Sequence, residues 1–289
     1  MSWRTIVISK RCKLDLKMGY MVVRAEETTR IFLDEISVLI IENNAVSLTG
    51  CLIEALCEKK IKVIFCDSKR NPISELVPIY GSHDCSRKIR EQIAWSNAQK
   101  GLIWTEIVSE KIRNQARFLK ELNKQQQSTI LTGYLSEMEF HDVTNREGHA
   151  AKVYFNAVFG MDFTRSFDCT VNAALNYGYG ILLSAFNREI AANGYLTQLG
   201  LFHNNVYNKF NLSSDLMEPM RILIDKHVYY SKYEEFEQEE KYDILSLFNR
   251  YIDIDSSEQT VFNAIKIYTK SVFSAMESGE ISDIKFAKL

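Results

Sequence analysis

Within nineteen residues, His203 to Arg221 (HNNVYNKFNLSSDLMEPMR), the chain places an imidazole, two carboxylates three positions apart, a proline and a guanidinium. On a helix, Asp215 and Glu218 would project from one face about one turn apart, the spacing at which two oxygen donors converge on one ion. That is half of a metal site. The same Asp-x-x-Glu spacing also forms a capping box, with Asp215, Ser213 or Ser214 closing the start of a helix. Proline is tolerated only in a first helical turn, so Pro219 predicts a helix beginning at about 214–218. Capping accounts for Asp215 but leaves His203 and Arg221 unexplained.

The elements that must position this stretch fall into two regions. RTIVIS, KLDLK, YMVVRA, RIFLDE, SVLIIEN and KVIFCD are short, rich in Val, Ile and Leu and partly alternating, which predicts strands, with MGY as a hairpin turn. SLTGCLIEALCEKK has helical apolar spacing and interrupts them with one helix. Pro72 and Pro78 then precede a boundary near Tyr80 to Asp84. Beyond it, RKIREQIAWSNAQKGLIWTEIVSEKIRNQARFLKEL reads as two helices broken near Gly101, with Trp95, Trp104 and Phe118 facing a core. NKQQQSTI reads as a loop.

Residues 146–160 (REGHAAKVYFNAVFG) have helical spacing, and their small alanines put Glu147 at the edge of a close helix–helix seam. Residues 168–194 read as a long apolar helix stopped by Gly194, on which Asn172 and Asn176 need polar partners. RILIDKHVYY continues the helix begun before Pro219, EEFEQEEKYDILSLFNRYI is an acidic amphipathic piece, and SEQTVFNAIKIYTKSVFSAMESG is a final helix. The fold class expected is α+β: a β-rich N-terminal domain over 1–82 and an all-helical domain over 83–289.

With 46% apolar and 25% charged residues, the composition is that of a globular protein. No apolar run approaches membrane-spanning length, and MSWRTIVISKRCKLDLK reads as a charged strand, so the expected location is cytoplasmic. Cys12, Cys51, Cys57, Cys66, Cys85 and Cys169 are scattered without a C-x-x-C pair, as for free thiols in a reducing compartment, which argues against a zinc ribbon or a disulfide frame. Lys and Arg against Asp and Glu number 16 to 15 over 81–230 and 7 to 12 over 231–289, so the acidic excess sits at the end, in YEEFEQEEKYD. A uniformly basic nucleic-acid binder is excluded, and any DNA contact must use a local basic face.

Four motifs occur in order: E-x-x-A/A-x-x-Y-F at Glu147 to Phe155, D-x-x-x-N-x-x-L-N-Y-G-Y at Asp168 to Tyr179, G-L-x-H at Gly200 to His203, and D-L-M-E-P-x-R at Asp215 to Arg221. With the β-rich start, this set resembles the CRISPR-associated spacer-acquisition integrases over essentially the whole chain, most like the type II-A branch. The resemblance implies metal ligands at Glu147, His203 and Glu218, with Asp215 the neighbouring acid. Arg221, three positions after Glu218, is a further catalytic candidate that holds a ligand carboxylate or the scissile phosphate, with a surface ion pair the equal alternative. A mixed oxygen and nitrogen set suits Mg²⁺ or Mn²⁺. His149, two residues from Glu147, is the rival to His203, but i and i+2 diverge on a helix. His83, His141 and His227 have no interpretable carboxylate arrangement. Arg146, Lys209 and Tyr177 are weaker DNA-binding candidates, and for Tyr177, as for Tyr179, core packing is the favoured reading.

The activity implied is a prokaryotic DNA integrase and endonuclease that joins 3′-hydroxyl ends of short duplexes to a leader–repeat junction. The implied partners are double-stranded DNA, a second copy of the chain contacted through the β domain, and a small ferredoxin-like CRISPR-associated subunit in a heterohexamer. A ring-forming DNA-end-binding accessory protein and an RNA-guided effector nuclease are further partners by the same analogy. Two other readings stay open: a catalytically silent DNA-binding scaffold of the same fold, and an unrelated metal-dependent hydrolase of small phosphoesters.

Overall fold

Continuous β-branched runs and one helix interrupting them give a layered α/β arrangement in the first part of the chain. The structure, a computed structural model, describes residues 4–68, 70–78 and 84–289. The chain divides into two units between residues 83 and 84. The expected boundary at Tyr80 to Asp84 and His83 lie mostly or wholly outside the described residues.

The first unit runs β1 (Arg4–Ile8), β2 (Lys13–Lys17), β3 (Tyr20–Arg24), β4 (Thr28–Phe32), β5 (Ile36–Ile41), β6 (Ser47–Leu48), α1 (Gly50–Glu58), β7 (Lys62–Cys66) and β8 (Pro72–Leu76). One sheet has the order β1-β5-β7-β8, with β1, β5 and β7 parallel and β8 antiparallel. The other has the order β4-β3-β2-β6. The hairpin expected at MGY joins β2 to β3, with Met18 and Gly19 both at positive φ. Strand β5 is buried along its whole length, which is why ISVLII reads as a continuous apolar run rather than an alternating one. Leu14, Met21, Leu39, Leu52, Leu56 and Val63 form the core under both sheets.

The second unit contains α2 (Cys85–Ala94), α3 (Asn97–Glu121), α4 (Gln125–Ser136), α5 (Arg146–Phe159), α6 (Thr170–Ala192), α7 (Asn211–Leu216), α8 (Arg221–Ser231) and α9 (Gln238–Leu247). Strands β9 (Tyr251–Ile254) and β10 (Ser257–Thr260) and helix α10 (Val261–Ser278) complete it. The α+β class is as the sequence implied, and Trp95, Trp104 and Phe118 are all buried.

Four local expectations are corrected. The break in the first helical stretch falls at Trp95 and Ser96, where Ser96 and Gln99 make a capping box, not at Gly101. Gly101 lies within α3 because a Cβ there would meet the Phe140 ring. NKQQQSTI is mostly helix, since the run gains a partner in α3 through the Ser128 hydroxyl, which donates to the Ala116 carbonyl at 2.8 Å, and through buried Leu131. The second unit is not wholly helical: residues 251–260 form an antiparallel hairpin, turned by Asp255 and Ser256 at positive φ. Finally, an α-helix already begins at Asn211, and what starts at Glu218 is a 3-10 turn (Glu218–Met220) with Pro219 in its first positions, as the proline required, leading into α8 at Arg221 rather than an α-helix beginning at 214–218.

Candidate functional site

Gly200 to His203 form a short segment wrapped around one carboxylate. Asp215, at the end of α7 and fully buried, accepts backbone N–H bonds from Leu201 (2.6 Å) and Phe202 (3.1 Å) on Oδ2 and from His203 (3.1 Å) on Oδ1. Its Oδ1 also lies 2.6 Å from His203 Nδ1. The segment passes so close that a Cβ on Gly200 would lie 2.7 Å from Asp215 Oδ2 and 2.3 Å from the His203 carbonyl oxygen. Asp215 is thus neither a helix cap nor a companion of Glu218 on one face. It fixes the imidazole, leaving Nε2 free of the contact that holds Nδ1. The bond to Asp215 raises His203 above the ordinary histidine range, against the effect of burial. Trp104 stacks on Phe202 with centroids 4.6 Å apart and meets His203 edge-on.

Glu218 opens the 3-10 turn and faces the other way, into a cavity of about 230 Å³. Glu147, Ala151 and Phe155 line it from successive turns of α5, Lys111 and Gln115 from α3, and Arg221, Ile222 and Asp225 from α8. His203, Tyr179 and Arg165 complete the wall. Glu147 is aimed there because α5 starts sharply. Asn145, at φ 53°, caps the helix through Gly148 N–H, and Asp142 accepts from the N–H groups of Arg146 and Glu147.

One ammonium joins the two glutamates: Lys111 Nζ pairs with Glu147 Oε1 and lies 2.5 Å from Glu218 Oε2. The other oxygen of Glu218 is 3.0 Å from the Arg221 guanidinium. Burial pushes the Glu218 carboxyl up, but Arg221 and Lys111 outweigh it and hold it below the ordinary glutamate value. Burial likewise works to discharge Lys111, and Glu218 and Glu147 outweigh it, so its ammonium is held above the ordinary lysine value.

Arg221 also lies over the Tyr179 ring, 4.8 Å from its centroid, and Tyr179 donates its hydroxyl to Asp225. The partners required by Asn172 and Asn176 are supplied by Arg165, whose guanidinium donates to both amide oxygens and also lies over Tyr179. Lys111, Gln115 and Arg165 went unread in the sequence. Lys111 and Gln115 share an i, i+4 face with the buried apolar positions of α3, the one signal that could have marked them.

The remaining candidates lie elsewhere. Arg146 pairs with Glu137 at 3.0 Å and lies over Tyr134, Lys209 is exposed, and Tyr177 is buried edge-on to Phe236. His149 faces Tyr134, as divergence from Glu147 requires. His141 packs against Phe202, and His227 bonds Tyr233. All six cysteines are free; Cys12 and Cys66 are buried and Cys51 is exposed.

Among the described residues, no three His, Cys, Asp or Glu side chains stand together closely enough to hold a metal ion as they are placed. The donor set nonetheless fits a hard divalent cation. Two carboxylates converge on one positive charge, and Glu218 Oε2 is buried in charge contact with Lys111 but without a hydrogen bond. The His203 side chain lines the same cavity.

The profile of the family described as CRISPR associated protein Cas1 matches residues 5–246. A CRISPR-associated endonuclease Cas1 of Neisseria meningitidis serogroup C (strain 8013) is 36% identical over 226 residues, covering 78% of this chain and 74% of that one. A CRISPR-associated endonuclease Cas1 of Francisella tularensis subsp. novicida (strain U112) is 25% identical over 277 residues, covering 88% and 87%. Among solved structures, a casposase bound to integration product superposes with a TM-score of 0.78 at 16% identity, over 97% of this chain and 92% of that chain. A chain of a Cas6-RT-Cas1--Cas2 complex superposes with a TM-score of 0.74 at 18% identity, and this chain spans 36% of its length. A CAS1 protein from Thermotoga maritima gives 0.75 at 16% identity, over 95% and 97%. With most of its length matched by the family profile and by a relative of 36% identity, the chain belongs to the CRISPR associated protein Cas1 family.

Proposed function

We propose that this protein is a divalent-metal-dependent DNA integrase and endonuclease that joins the 3′-hydroxyl ends of short duplexes to the repeat by transesterification. The observation that carries the reading is the convergence of Glu147 and Glu218, from separate helices, on one cationic centre in a cavity walled by His203. Glu147, His203 and Glu218 would hold Mg²⁺ or Mn²⁺. When bound, that ion supplies charge neutralisation at the phosphoryl oxygens and eases ionisation of the attacking hydroxyl.

The chain's own groups do the rest. Asp215 holds Nδ1 of the imidazole, which leaves Nε2 for a ligand at the cavity that His203 lines. Arg221, braced by Glu218 and Tyr179, offers a guanidinium for a phosphate, and Arg165 adds a second on the same wall. Phosphoryl transfer to a hydroxyl needs no covalent protein intermediate, in keeping with a cavity wall that holds no serine or cysteine.

The partners of this reading are double-stranded DNA, a second copy of the chain joined through the first unit, and a small ferredoxin-like subunit in a heterohexamer. Fragment selection would add the ring-forming accessory protein and the effector nuclease. One structural neighbour is a chain of a Cas6-RT-Cas1--Cas2 complex and another a casposase bound to integration product, in keeping with a nucleic-acid substrate and a CRISPR-associated partner subunit. A silent scaffold, in which Lys111 permanently neutralises both glutamates, is the second reading.

Strand transfer of a short duplex into a plasmid with a leader–repeat junction, with the small subunit and Mn²⁺ present, separates the two. Transfer by wild type, lost in folded Glu147→Gln, His203→Ala and Glu218→Ala, is the outcome expected of the integrase. Equal transfer by the variants removes the site assignment, and no transfer by wild type leaves the scaffold.

A further inference from the structure

Lys111 is the charged group whose place the chemistry above does not require. It sits on α3 among buried positions, and its side chain is 9% exposed. Among the described residues its ion-pair partners are Glu147 and Glu218, which are two of the three residues proposed to hold the cation. An ammonium is a compact point charge on a flexible four-carbon stem, and here it occupies the position between two carboxylates that a divalent ion would take.

Charge bookkeeping shows why this matters. Around Glu218 the two glutamates are balanced by two cations, Lys111 and Arg221, each facing a different oxygen of Glu218. A divalent ion held by the same carboxylates would add two positive charges to a cluster that is already neutral and in which Lys111 and Glu218 are buried. Burying charge without compensation is the costly case, so one resident cation has to yield. Arg221 is anchored on its far side by the Tyr179 ring. Lys111 has only the carboxylates it would be giving up, and the cavity of about 230 Å³ gives its stem room to turn.

We propose that Lys111 is a resident counter-cation: it holds Glu147 and Glu218 together in the metal-free protein and is displaced into the cavity when a divalent cation loads. This rests on the metal-ligand reading above. Loading is then an exchange of cations rather than the filling of a vacant site, and the displaced ammonium is left facing an incoming phosphate. Removing Lys111 therefore tightens the cation and loosens the metal-free protein.

The test is calorimetric titration of Mn²⁺ alone, without DNA, into the full chain as wild type, Lys111→Met, Glu218→Gln and the double variant. Lys111→Met is expected to bind Mn²⁺ about 10-fold or more tightly than wild type, the scale on which neighbouring groups tune a metal site. Its metal-free Tm should fall and be regained on adding Mn²⁺. Equal or weaker binding overturns the exchange. Loss of binding with Glu218→Gln in both backgrounds is expected; persistence there removes the ligand reading itself, whatever Lys111 does. A second measurement needs no variant at Lys111. Amine-reactive labelling followed by mass spectrometry should modify Lys111 of the wild-type chain several-fold faster with Mn²⁺ than without, and an unchanged rate overturns the proposal.

Discussion

At the scale of single residues, Asp215 shows how a correct motif can carry a wrong geometry. The spacing from Asp215 to Glu218 suggested two donors on one helical face, but a 3-10 turn intervenes and the two carboxylates point to different tasks. Asp215 uses its oxygens on three backbone donors and the imidazole, so it orients His203, the proposed ligand. Asp215→Asn should keep the fold and lower both strand transfer and Mn²⁺ affinity about 10- to 100-fold, as loss of an orienting partner does; unchanged values would return Asp215 to a capping role.

A second residue prediction concerns pH. Asp225 is buried, accepts from Tyr179, and burial pushes its carboxyl up to about 6. A carboxyl raised above its unfolded value contributes stability that is fully present below about pH 4 and lost as pH rises through about 6. Asp225→Asn cannot ionise, so it should gain on wild type by about 3 kcal/mol between pH 4 and pH 8, from roughly two pKa units at about 1.4 kcal/mol each. Urea denaturation at both pH values checks this, and a pH-independent difference would refute it. The residues proposed as ligands, Glu147, His203 and Glu218, are read from motif order. Lys111 is not, because its meaning lies in contacts made far along the chain, 36 positions away in the case of Glu147.

At the scale of elements, α6 and α8 meet at a single missing side chain. A Cβ on Gly178 would lie 2.5 Å from Ile224 Cγ2, so the two helices close only because residue 178 carries none. Gly178→Ala should cost about 1–3 kcal/mol by overpacking, and in a background of Ile224→Ala, which removes Cγ2, the same change should cost less in chemical denaturation. An undiminished cost would place the strain elsewhere. The same contact explains a limit of sequence reading. Within the apolar run of residues 168–194, Gly178 is a close-approach point, and only the partner helix reveals it. Helix α4 and the 251–260 hairpin escaped for a related reason. The polar QQQ run becomes helix by packing against α3, and the hairpin turn uses Asp255–Ser256 rather than glycine.

At the scale of the whole molecule, a net charge of −2 gives no general attraction for a polyanion, so the proposed DNA contact would have to use local groups such as Arg165 and Arg221 at one cavity. Two copies joined through the first unit would sediment at about twice the 33.4 kDa of one chain. Sedimentation velocity at micromolar concentration should give that dimer without DNA or metal, and a monomer would withdraw the first unit as a dimer contact. The β-then-helix order was legible because strands and helices carry different apolar periods. Assembly was not, since a surface that meets a second copy has the same periodicity as one that meets water.

The stacking of Trp104 on Phe202, with His203 edge-on to the indole, has an optical consequence. An indole in ring contact with an imidazole changes its emission when that imidazole takes up a cation or shifts. Trp95 lies against Tyr195 and Phe273 instead, so it serves as an internal reference. The chain thus carries an unlabelled fluorescence reporter beside His203, which would follow the proposed cation loading in real time, and Trp104→Phe would silence it while keeping a flat ring against Phe202.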